Sequence, residues 1–161
     1  MNSLKKLLFY IGFLFFTLTN INAQKSSKIN VEHADHFDVD EKLFPDAALL
    51  QGNVKVNQEG VVFTRNKAYF FQKENYIKAF GDVQMVQGET LFLNSKYDEY
   101  NGEVKKACVT ENVIMRSPES TLITVTINFD RNTQEAYYNS LGMITNKENI
   151  LRSKSGRYFS Y

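Results

Sequence analysis

Between Leu49 and Phe129, apolar and polar residues alternate with the two-residue period of half-buried β-strands. Leu50, Gly52, Val54 and Val56 fall on one face, with Gln51, Asn53, Lys55 and Asn57 on the other. Further on, Ala79, Gly81, Val83 and Met85 oppose Phe80, Asp82, Gln84 and Val86. A following strand groups Leu91, Leu93, Ser95 and Tyr97. Its later counterpart sets Ile123, Val125, Ile127 and Phe129 against Leu122, Thr124, Thr126 and Asn128. Isoleucine, valine, threonine and aromatics suit strands and lose rotamer freedom in helices. No segment after residue 24 carries a helical stripe, so the chain is predicted to be all-β.

Turn signals near 57–60, 73–75, 87–89, 101–102, 117–120, 131–133 and 146–149 punctuate the pattern. Asn101-Gly102 predicts a two-residue hairpin, because that pair accepts positive φ at both central positions. The strands also repeat. Val54 and Val83 are 29 apart, Val113 follows 30 later, and Met143 lies 30 beyond that. A fixed period is the mark of a repeat architecture. Two strands per repeat cannot bury an apolar face alone, so the repeats are expected to stack around a shared interior with open ends. The last strand, about Leu151 to Tyr161, carries the aromatic-rich GRYFSY and no charged cap, which invites pairing with another chain.

The start of the chain reads differently. Lys5 and Lys6 precede an apolar run from Leu7 to Leu18, and small or polar residues follow to Ala23. That order predicts a signal peptide, residues 1–23, cleaved after Ala23. The run falls short of the ~20 apolar residues that span a bilayer, and Thr17, Thr19 and Asn20 interrupt it. Residues 24–161 are then one secreted domain of 161 − 23 = 138 residues. Subtracting Lys5 and Lys6 from the 19 basic residues leaves 17 against 18 acidic ones, a net charge of −1. Bulk charge therefore attracts neither nucleic acid nor an anionic membrane. A single cysteine, Cys108, excludes an internal disulfide framework and reads as a small strand hydrophobe.

Candidate chemistry is sparse. Residues 31–41, VEHADHFDVDE, hold the only two histidines, His33 and His36, among five carboxylates. On a strand, residues three apart face opposite ways, so these two cannot share a metal without a kink. The stretch reads instead as an edge strand blunted by charge, with Val31, His33, Asp35, Phe37 and Val39 on one side. The chain shows no glycine-rich phosphate loop, nucleophile elbow or zinc-binding helix. The expectation is a protein that is not an enzyme and takes no cofactor or metal.

The signal peptide, Ala34-Asp35 near the mature start, Gly-Asn-Val at 52–54 and Gly-Asp-Val at 81–83 resemble the LptA/OstA-like family, as do VNQEGVVFTRNKAYF and MVQGETLFLNSKYD. The likeness covers roughly residues 29 to 159. It departs at Glu111-Asn112-Val113, which lacks the glycine, at the longer turn with Pro118, and at Asn66-Lys67. The resemblance implies a folded antiparallel β-jellyroll, or β-taco, whose apolar groove carries the acyl chains of lipid A between inner and outer membrane. It implies a periplasmic lipopolysaccharide-transport protein that stacks by its edge strands on other OstA-like components or on copies of itself. The groove residues it implies are Val54, Val56, Val62, Val83, Met85, Leu91, Leu93, Val113, Met115, Ile123, Val125 and Phe129. Lys105, Lys106, Lys147, Arg152, Lys154 and Arg157 could meet lipid A phosphates, although scattered surface charge is the ordinary reading. The alternative is a secreted β-repeat module that binds polysaccharide or scaffolds an envelope complex.

Overall fold

A computed structural model describes residues 27–159, and the leader read at 1–23 lies outside them. Two short strands, β1 (Asn30–His33) and β2 (His36–Asp40), precede six long ones. These are β3 (Phe44–Gln58), β4 (Val61–Phe71), β5 (Tyr76–Gln87), β6 (Leu91–Asn101), β7 (Lys106–Arg116) and β8 (Ser120–Asp130). Four short strands follow: β9 (Glu135–Tyr138), β10 (Gly142–Asn146), β11 (Ile150–Ser153) and β12 (Gly156–Phe159). All twelve join in one open antiparallel sheet in which each long strand pairs with the next. The all-β, folded-jellyroll expectation holds.

The sheet bends because each pairing of long strands loses register once, near mid-length. The breaks fall between Gln51 and Val54, Thr64 and Lys67, Phe80 and Val83, Asn94 and Tyr97, and Thr110 and Val113. Bulges bend and twist a strand, and bulges aligned across a sheet crease it. The crease divides the sheet into two leaves. The upper leaf holds β2, β9, β12 and the long-strand halves around 47–51, 67–71, 76–80, 97–101, 106–110 and 126–130. The lower leaf holds β1, β10, β11 and the remaining halves. One buried cluster, with Leu50, Ile77 and Tyr100 from the upper leaf and Val56, Phe63 and Leu93 from the lower, fills the space between them.

The crease explains the repeated Gly-Asn, Gly-Asp and Glu-Asn pairs. Gly52 (φ +70°), Asn53 (+46°), Gly81 (+92°), Glu111 (+65°) and Asn112 (+55°) all sit at its corners in left-handed backbone. Glycine enters that region freely, and asparagine more readily than other residues with a Cβ. A Cβ at Gly81 would have room, its nearest neighbour being Asn66 Cβ at 3.7 Å. Gly81→Ala is therefore expected to lose about 1–2 kcal/mol through backbone conformation alone. Glu111→Gly, which supplies the glycine missing from the third corner, is expected to gain about 0.5–1 kcal/mol. Urea denaturation midpoints measure both, and a neutral Gly81→Ala would contradict the left-handed corner.

Asn101-Gly102 does not form the expected two-residue hairpin. Lys106 pairs with Asn101, so the turn spans Gly102 to Lys105, and its positive φ (+55°) falls at Lys105. Asn101 Oδ1 accepts from the backbone N–H groups of Glu103 (3.0 Å) and Val104 (3.2 Å), which organises the longer turn. Gly102 is needed for another reason: a Cβ there would lie 2.6 Å from Asn75 Nδ2 of the neighbouring turn.

Candidate ligand-binding interior

Inward side chains line up in rows, one residue per strand. In the lower leaf Val56, Phe63, Met85, Leu93, Met115 and Leu122 form one such row, extended by Ile144, which pairs with Leu122, and by Leu151, which pairs with Ile144. In the upper leaf Ile77, Tyr100, Ala107 and Phe129 form another, continued by Ala136 and Tyr158. Of the expected groove residues, Val54, Val56, Val83, Met85, Leu91, Leu93, Val113, Met115 and Phe129 lie buried on this interior, each no more than 4 % exposed.

Val62, Ile123 and Val125 face the other way. Val62 lies between the buried Val61 and Phe63. In β8 the buried residues are Leu122 and Thr124, then Ile127 and Phe129, so the crease at Val125 changes which parity points inward. Val125 is 58 % exposed. The same change in β6 puts Asp98 and Tyr100 inside and Tyr97 outside, against the unbroken alternation expected from the sequence.

Next to the crease the interior is not purely apolar. The lower-leaf row there runs Val54, Arg65, Val83, Ser95, Val113 and Thr124, with valine on odd-numbered strands and a polar residue on even-numbered ones. Across the crease, the corresponding upper-leaf row contains Ala68, Ala79 and Asp98. Arg65 is 3 % exposed and Asp98 1 %. Arg65 Cζ lies 5.2 Å from the Phe63 ring centroid, a cation–π contact. Burial lowers the Arg65 guanidinium to about 10, and the Asp98 charge pulls it partly back. Burial raises the Asp98 carboxyl to about 6, against the pull of Arg65. Sequence reasoning passed over Arg65 and Asp98 because charged strand residues are ordinarily on the surface. The available signal was spacing: Arg65, Ser95 and Thr124 are 30 and 29 apart, the period of the repeat itself.

Opposite the crease, hairpin turns of the two leaves meet and latch the mouth. Lys105 Nζ donates to both carboxylate oxygens of Glu59, at 2.8 and 2.7 Å, which holds that carboxyl below its usual range. Arg131 donates to Tyr100 Oη at 2.8 Å, and Tyr100 donates to Gln58. Gln87 donates to Gln134 at 2.8 Å. Between the leaves the rings of Phe63 and Tyr100 lie 5.1 Å apart. The ends are more open. Phe37 and Val39, paired with Leu50 and Ala48, are exposed at the β2 edge, beside a cavity of about 500 Å³ that also touches Ile29, Val31 and Phe70. At the other end Leu151 continues an inward row and is exposed.

The histidine stretch is a crossing between leaves. β1 lies in the lower leaf and β2 in the upper, with Ala34 and Asp35 at the crease between them. Asp35 N–H donates to Gly52 O at 3.0 Å, and Asn53 Nδ2 donates to Asp35 Oδ2 at 3.0 Å. His33 Nε2 is 3.0 Å from Asp35 Oδ1. A register break between Val31 and His33 turns Val31 toward the core and leaves His33 exposed, so the two do not share a face as the alternation suggested. Among the described residues, no group of three or more His, Cys, Asp or Glu is placed to hold a metal ion. Cys108 is half-buried, and burial pushes its thiol up.

Comparison with known proteins finds several solved chains of related fold and a matching family. One of these structures is that of LptH, the LptA-homologous periplasmic component of the conserved lipopolysaccharide transport device from Pseudomonas aeruginosa. It is 19 % identical over 65 % of this chain and 76 % of its own, with a TM-score of 0.55, a likeness of fold. No curated protein matches the sequence. The model of the family described as OstA-like protein matches residues 26–161. That family is one of non-enzymatic transport proteins. With its creased sheet, repeated corners and enclosed interior, the chain belongs to the OstA-like family.

Proposed function

We propose that this protein is a periplasmic lipopolysaccharide-transport component that holds the acyl chains of lipid A against its interior rows and passes them along a stack. The observation that carries the reading is the pair of apolar rows that run across the creased sheet on either side of its polar crease, with Phe37 and Leu151 exposed at the two ends. Membership of the OstA-like family and the likeness to LptH support it, as does the leader read in the sequence. The carrier work is binding without chemistry, because apolar burial is non-directional and scales with the area removed from water. The strands at either end of the sheet are the natural docking edges for other OstA-like components or further copies.

Photo-crosslinking in cells tests this. A crosslinking residue at Val83, Leu93 or Leu151 is expected to capture lipopolysaccharide, and one at Val125, on the outer face, is expected not to. Capture at Val125 with none at the three inward positions would overturn the reading. One observation favours a second reading, an envelope scaffold or polysaccharide-binding module. The leaves touch through Phe63 and Tyr100, and side chains fill the interior between them. On that reading purified protein takes up no acyl ligand even when the Glu59–Lys105 latch is removed by Lys105→Ala.

A further inference from the structure

Arg65 is the least satisfied charged group in the interior. Its Nε, Nη1 and Nη2 make no hydrogen bond, and neither do Asp98 Oδ1 and Ser95 Oγ. Arg65 also belongs to no ion pair among the described residues, although it and Asp98 feel each other's charge. A guanidinium buried without hydrogen bonds is strongly disfavoured unless the working state supplies partners. The third polar member of the same row, Thr124, is satisfied within the chain, donating to Ser140 O at 2.7 Å. Ala68 and Ala79 pair with each other, and Ala79 with Asp98, so two small side chains flank the carboxylate whose charge Arg65 feels.

The three polar residues stand on either side of the crease, Arg65 on β4 and Ser95 three residues before Asp98 on β6. They offer donors from Arg65, an acceptor from Asp98 and a hydroxyl from Ser95 that can do either. Arg65 and Ser95 are flanked along the row by Val54, Val83 and Val113. A partner that accepts from Arg65 and donates to Asp98, on a chain otherwise apolar, is a hydroxyl carried on an acyl chain. We infer that Arg65, Asp98 and Ser95 form a recognition point for a hydroxyl group on the bound acyl chain, so that the interior distinguishes hydroxylated from plain acyl chains. The inference rests on the proposal that acyl chains enter the interior.

The experiment compares binding of octadecanoic acid and its mid-chain hydroxylated derivative to the purified protein and to Arg65→Met. The native protein is expected to bind the hydroxylated acid about tenfold more tightly, since a site built to hydrogen-bond a hydroxyl rejects the analogue lacking it. In Arg65→Met that preference is expected to fall to within about twofold, while plain octadecanoic acid binds at least as well as before. Equal affinity for the two acids in the native protein, or a preference that survives in Arg65→Met, would overturn the inference and leave the carrier reading standing. Failure of both acids to bind the native protein would overturn the carrier reading and the inference with it. Ser95→Ala, the milder change, reads the same preference if Arg65→Met does not fold, and there the preference is expected to weaken by about threefold; an unchanged ratio overturns the inference.

Discussion

Phe63→Ala is expected to destabilise the protein by about 3–5 kcal/mol, the range for truncating a buried aromatic. Phe63 is 1 % exposed and lies in the middle of the lower-leaf row, against Val56 and Met85. Its ring also meets Tyr100 of the upper leaf at 5.1 Å and lies beneath Arg65. The substitution therefore removes apolar burial, a contact between the leaves and the cation–π partner of a buried charge at once. The neighbours are held on both sides by hydrogen-bonded strands, so the site collapses little and most of the cavity remains. Urea denaturation of the native protein and the variant measures the loss. A change below about 1 kcal/mol would mean that interior packing does not hold the leaves together.

The second large effect is a dependence on pH. Asp98 moves from its ordinary 3.8 to about 6 in the folded protein, chiefly because burial penalises its charge. A carboxyl raised on folding binds its proton more tightly in the native state. Its contribution to stability is thus full below the unfolded pKa and is lost as pH rises through the folded one. Between pH 4 and pH 7 the native protein is expected to lose about 2 kcal/mol relative to Asp98→Asn, from a little under two units at about 1.36 kcal/mol each. Other carboxyls, including Asp35 and Glu59, are lowered on folding and act in the opposite direction. Only the difference between the two proteins isolates Asp98. Denaturation curves at pH 4, 5, 6 and 7 test it, and parallel profiles for the two proteins would refute it.

Much of the architecture was legible in the chain. The two-residue alternation gave the strands, because a side chain's choice of face is set by its own backbone pleat and its immediate neighbours. The 29- and 30-residue spacing of Val54, Val83 and Val113 gave the repeat, and with it the stacked interior and the family resemblance. Gly52 and Gly81 recur one repeat apart, and both stand where the backbone turns left-handed, a region few residue types accept.

What the chain did not reveal is tied to the crease. In β3, β5 and β7 the bulge sits on Gly-Asn, Gly-Asp and Glu-Asn, which carry the local backbone preference. In β6 and β8 the residues at the break, such as Lys96 and Val125, carry no such mark, because their displacement is imposed by pairing with the neighbouring strand. One added residue reverses every later side chain, so Tyr97 and Asp98 exchanged faces and Val125 moved outside. Local sequence thus determined which residues form strands and where the repeat begins again. Only the tertiary structure decided which face of each half-strand is enclosed, and so buried Arg65 and Asp98, from opposite leaves, within reach of each other's charge. The physical reason is that parity past a bulge belongs to the pair of strands, whereas sequence periodicity belongs to one strand alone.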